Sequence, residues 1–144
     1  MRNRRLIGPG KPRLSLMLLA VVSLLMGCAG PTKARMKMPA PQGISVADGT
    51  RLAAQAMQDT GHWPKSQNEA AGQVSGEKTH KVSFGWETAT TYLEVTVVKT
   101  PDGGLETDAK CSVSRNIAYW NEGGKCVDEF HEAFRKRLAA WQSP

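Results

Sequence analysis

The sequence is short of the motifs by which small proteins hold metals or activate nucleophiles. His62, His80 and His131 are its three histidines, and no two stand four residues apart, so no helical pair can grip a metal ion. Gly-x-Ser-x-Gly, His-Glu-x-x-His, Cys-x-x-Cys and a phosphate-cradling glycine loop are all absent. These absences argue against a serine hydrolase, a helical zinc protease or a nucleoside triphosphatase. Net charge is also small where it would matter. The formal charge is +6, but five of the 19 basic residues and none of the 13 acids precede position 27. Fourteen basic and thirteen acidic residues remain, a balance of +1, too weak a field to collect phosphates along a nucleic acid. With 144 residues in all, the chain has room for one domain and little room for a large active site.

What is present begins at the amino terminus. Arg2, Arg4, Arg5, Lys11 and Arg13 precede the 13-residue run LSLMLLAVVSLLM from Leu14 to Met26, which is too short for a membrane span and has the form of a secretory signal. The run ends in Leu25-Met26-Gly27-Cys28. This resembles the lipobox of bacterial lipoproteins, an aliphatic residue, a tolerant position, a small residue and an obligatory cysteine, with Met26 an unusual filler of the tolerant place. The resemblance covers only about the first 28 residues. It implies that residues 1–27 are removed, that Cys28 carries diacylglycerol on its thiol, and that the new amino terminus takes a further acyl chain such as palmitate. Two or three such chains exceed what stable attachment needs. Ala29 rather than aspartate after the cysteine implies the outer membrane, in the leaflet facing the periplasm.

Residues 28–44, with three prolines and little apolar periodicity, read as the lipidated cysteine and a flexible tether, about 20 Å from end to end. Within it, Met36 and Met38 flank Lys37 in an arrangement that suits a soft metal, but two thioethers on a mobile tether make a poor site. The remainder, 45–144, reads as a single periplasmic domain. Ser45 and Asp48 have the spacing of a helix-opening capping box, and Gly61 closes that helix. His62 to Thr79 lacks a period and reads as a long loop. Alternation then sets in at Val82-Phe84-Trp86, at Leu93-Val95-Val97 and at Leu105-Ala109-Cys111-Val113, three half-buried strands. Pro101-Asp102-Gly103-Gly104 joins the last two as an antiparallel pair. Arg115 to Trp120 reads as a short strand or turn, and Asn121-Glu122-Gly123-Gly124 as a break. Val127, Phe130, Phe134, Leu138 and Trp141 form one stripe of a closing helix. The expected fold is α+β: a small antiparallel sheet of three to four strands packed against amino- and carboxy-terminal helices, an αβββα sandwich.

With Cys28 assigned to lipid, Cys111 and Cys126 form an even pair. Cys111 faces the covered side of its strand and Cys126 begins the covering helix, so a structural disulfide is expected. Trp63 and Trp120 fall in irregular regions beside turns. They either form an exposed protein-contact patch or seal the ends of the sandwich. His131, one turn from both Asp128 and Arg135, has the spacing of an oriented imidazole and equally that of a solvated charge ladder. Glu87, Glu94, Glu106 and Asp108 lie on the polar side of the strands, where paired carboxylates and plain alternation look alike. No cofactor, metal or nucleic acid is expected. The sequence thus points to a non-enzymatic, membrane-anchored module that binds a protein, either an accessory part of the envelope or an immunity lipoprotein against a toxin. The alternative is a small ligand, glycan or metal held between sheet and helices.

Overall fold

The computed structural model of the protein describes residues 31–82, 87–114 and 122–141. Strand β1 (Thr32–Met38) is followed by helix α1 (Val46–Asp59). Strands β2 (Trp63–Asn68), β3 (Gln73–Val82), β4 (Glu87–Lys99) and β5 (Leu105–Ser114) come next, and helix α2 (Glu122–Ala140) ends the order. The fold is α+β, an open antiparallel sheet with two helices. The sheet has five strands rather than three or four, in the order β1-β5-β4-β3-β2.

Helix α1 starts where the capping box places it: the Asp48 amide donates to Ser45 Oγ at 3.0 Å and the Ser45 amide to Asp48 Oδ2 at 3.0 Å. Its inward face is light, built from Leu52, Ala53, Ala56 and Met57. Helix α2 contributes the bulk, with Val127, Phe130, Phe134 and Leu138 buried and Trp141 partly so. Side by side, the helices cover one face of the sheet, sealing Leu93, Val95, Val97, Leu105, Ala109 and Cys111. The opposite face carries Tyr92, Glu94 and Val98, all exposed. Arg137 on α2 grips Asp59 at the end of α1 with two bonds of 2.8 and 2.7 Å. This pair holds the Asp59 carboxyl below its ordinary pKa but, lying in solvent, adds little to stability.

Three expectations are corrected. The segment read as tether contains β1, which pairs with β5 from Thr32↔Cys111 to Met38↔Leu105. Met38 is buried and Met36 packs against the core, so the two thioethers serve packing. Lys33, Arg35 and Lys37 alternate outward, Arg35 meeting Asp108 at 3.1 Å and Lys37 meeting Glu106 at 3.7 Å. An edge strand has only one neighbour, and this one manages with small and flexible inward side chains. Secondly, the segment from His62 to Thr79 contains β2 and most of β3. Its apolar period is faint because β2 lies at the other edge, mostly exposed, and because Gly76 faces the core under Met57. Thirdly, Glu122-Gly123-Gly124 opens α2 instead of breaking the chain. A methyl group at Gly123 would stand 2.7 Å from Thr32 Oγ1, so the glycine permits close approach of helix to strand. Of the first expected strand, Phe84 and Trp86 lie outside the described residues, as does the expected short element from Arg115 to Trp120. No helix among the described residues is long and apolar enough to cross a membrane.

Candidate functional site

Two features stand out, and the turn after α1 builds both. Gly61 takes a positive φ of 80°, the His62 amide bonds back to the Met57 carbonyl at 2.8 Å, and the Gly61 amide to Gln58 at 2.9 Å. These are the two bonds of a Schellman cap. The cap turns His62 under the helices at 2% exposure, and the alternation of β2 then throws Trp63 to the opposite face at 74% exposure.

His62 sits in a polar network. The Thr60 hydroxyl donates to the Met57 carbonyl at 2.9 Å, which leaves its oxygen to accept from His62 Nδ1 at 2.9 Å. The Thr91 hydroxyl lies 3.1 Å from His62 Nε2 and donates to the Lys78 carbonyl at 3.3 Å. Burial, with the positive charges of Lys78 and His80 adding to it, lowers the His62 pKa to about 4. A ring so weakly basic is a poor proton acceptor at neutral pH, and the hydroxyl–imidazole contact therefore reads as structural. Cys126 Sγ packs 3.6 Å from Nε2. Outside this network lies a cleft of about 220 Å³, lined also by Lys78, His80, Lys125 and Glu129. It shares Lys78 and Glu129 with a wider depression of about 510 Å³ beside Asp59, Glu132 and Lys136.

A pH dependence follows. In the unfolded chain His62 titrates near its ordinary value of 6.5, and in the folded protein near 4, so the unfolded state takes up the proton first as pH falls. The stability from the neutral ring is complete above pH 6.5 and is lost progressively toward pH 4. Urea unfolding should show a loss of about 2 kcal/mol between pH 7.5 and pH 5, and His62→Gln should flatten that slope. An identical slope in wild type and variant would refute the assignment. His131, whose pKa burial also lowers, adds a smaller part in the same direction.

The second feature is the sheet face opposite the two helices, uncovered among the described residues. Register places Trp63, Glu77, Tyr92 and Ser112 in one cross-strand row. Trp63 and Tyr92, 74% and 43% exposed, flank Glu77, which Lys65 neutralises at 2.8 Å. Further along the same face the acids are each matched to a cation. Glu94 meets Lys110 at 3.0 Å, while Asp108 and Glu106 meet the β1 cations already described. Glu94, Glu106 and Asp108 are thus ion-paired, and the side chain of Glu87 is outside the description.

Of the residues singled out in the sequence, Cys28 and Trp120 lie outside the described residues. Cys111 and Cys126 are joined by a disulfide, with Cα atoms 6.4 Å apart. His131 is buried beside Phe130, and its Nε2 has no hydrogen-bond partner among the described residues. The described residues hold no cluster of three or more metal-binding side chains. A pocket between sheet and helices is the alternative reading of the sequence, but its lining residues are not legible there, because the segment that supplies His62 and Lys78 shows no period. The one available signal was the histidine directly after a helix-closing glycine.

Comparison with protein-family models finds no match, and no curated protein matches the sequence. Among solved structures the chain is similar to TTHA0849 from Thermus thermophilus, with 13% identity, a TM-score of 0.45, and 79% of this chain and 100% of that chain covered. It is also similar to a DUF4468 family protein from Bacteroides ovatus, with 11% identity, a TM-score of 0.40, and 72% of this chain and 85% of that chain covered.

Proposed function

We propose that the chain is a bacterial lipoprotein anchored through Cys28 in the outer membrane, facing the periplasm, and that its domain is a non-enzymatic module binding another envelope protein. The lipobox resemblance at Leu25-Met26-Gly27-Cys28 supports the anchor. The observation that carries the binding role is Trp63, a large aromatic left 74% exposed on a sheet face that neither described helix covers. Tyr92, in the same cross-strand row, extends its apolar surface, and the ion pairs Lys65–Glu77 and Lys110–Glu94 give a polar rim. Exposed tryptophan and tyrosine inside a polar rim are the side chains that concentrate binding energy in protein interfaces.

The disulfide and the weakly basic His62 support a structural rather than a catalytic reading of the interior. The test is crosslinking in intact cells from a photoreactive residue at position 63, with position 136 on the helical side as control. A single envelope protein should be captured from position 63 and not from 136. Trp63→Ala should weaken its binding by at least tenfold and leave the melting temperature unchanged, since the ring is exposed. Equal capture from both positions, or affinity unaffected by Trp63→Ala, would contradict the proposed contact face.

A further inference from the structure

The cleft beside His62 lies at the end of the domain from which the chain leads back to Cys28. Thr32 shares a cross-strand row with Cys111, Leu93, Gly76 and Pro64. Beyond that row, toward the start of β1, come Thr91 opposite Lys78 and then Ala89 opposite His80. Helix α2 begins at the same end, where Gly123 touches Thr32, and its opening turns bring Lys125 and Glu129 to the cleft. Only Ala29, Gly30 and Pro31 separate Cys28 from Thr32. Four chain steps reach at most about 14 Å, so an acylated Cys28 would hold this end against the headgroups rather than let the domain float.

The chemistry of the cleft suits an anion. Lys78 gives one N–H to the Thr60 carbonyl at 2.8 Å and keeps two, and Lys125 is largely exposed. One carboxylate, Glu129, lies 3.8 Å from Lys125, which leaves the two lysines in excess. Two ammonium groups repel a metal ion, whereas tetrahedral oxyanions are met by such sets of charged N–H donors. A volume of about 220 Å³ accommodates a phosphate group with attendant water.

The geometry points to a phosphate-binding cleft, formed by Lys78 and Lys125, that takes the headgroup phosphate of an anionic phospholipid in the leaflet holding the anchor. The membrane source rests on the lipoprotein reading; the anion site itself does not.

The test uses the full chain in neutral detergent, titrated calorimetrically with dihexanoyl phosphatidylglycerol, with inorganic phosphate, and with a neutral glucosyl lipid of equal chain length. Phosphatidylglycerol should bind, and Lys78→Gln and Lys125→Gln should each weaken it roughly tenfold while melting as wild type. Lys125→Gln keeps the test sound should Lys78→Gln disturb the Thr60 contact. The imidazole resonance of His62 should titrate at higher pH with ligand bound, a response that a purely structural lysine would not give. Equal, lysine-dependent binding of inorganic phosphate would keep the anion site and overturn the headgroup source. Binding of the neutral lipid as strongly, or binding indifferent to both lysines, would overturn the site. A Cys28→Ser chain run in parallel separates the claims, since the cleft should bind equally well in it even if Cys28 proves to carry no lipid.

Discussion

Gly72→Ala should be the most damaging single-methyl change in the domain. Gly72, in the turn between β2 and β3, has a φ of +68°, a conformation that disfavours every side chain. The space is also taken: a methyl group there would overlap the Val97 carbonyl oxygen and stand 2.9 Å from Val46 Cγ1. Both neighbours are fixed, since the Val97 amide bonds the Gly72 carbonyl at 2.7 Å and Val46 opens α1. Strain of about 1 kcal/mol from the dihedral and roughly 3 from the overlap give a loss of about 4 kcal/mol. For a domain of this size that lowers the melting temperature by roughly 15 °C. Gly103→Ala is the control: its φ is +85°, but a methyl group would meet nothing within 4 Å, so only about 1 kcal/mol should be lost. Equal effects of the two substitutions in thermal unfolding would show that the turn is not packed against β4 as described.

Reduction of the Cys111–Cys126 bond should have the next largest effect. The bond ties β5 to the start of α2 across 15 residues, a separation for which chain-entropy reasoning gives about 3 kcal/mol. Both sulfurs are buried, and Cys126 packs on His62, so the loss should reach the cleft as well as the helix. Urea unfolding with and without reductant should differ by about that amount, and the Cys111→Ala/Cys126→Ala double variant should match the reduced protein to within about 1 kcal/mol and no longer respond to reductant. A midpoint that stays put on reduction would contradict a stabilising bond.

How much of this was legible in the residues differs by element, for physical reasons. Helix α1 is written in Ser45 and Asp48, and α2 in the stripe of Val127, Phe130, Phe134 and Leu138. The pairing of β4 with β5 is written in their alternation and in Pro101-Asp102-Gly103, where Thr100 and Gly104 close the turn at 2.9 Å. Strands β1, β2 and most of β3 were hidden because two of them are edges and the third faces the core partly through Gly76. Their stability comes from neighbours rather than from their own apolar content, a tertiary effect that local pattern does not carry. The exposure of Trp63 could be narrowed only to a contact or a seal, since it depends on β2 being an edge strand. The lining of the cleft was out of reach for a different cause: His62, Lys78, Thr91 and Lys125 come from four elements or their flanks and meet only once the sheet order is set.

Intact-mass spectrometry of the detergent-extracted protein tests whether Cys28 anchors the domain in a membrane. The expected chain begins at Cys28 and carries the added mass of a diacylglyceryl group plus an amino-terminal acyl chain, with Cys28→Ser abolishing both the mass increment and membrane retention. A chain that retains residues 1–27, or one that is cleaved and carries no acyl mass, would contradict the anchor.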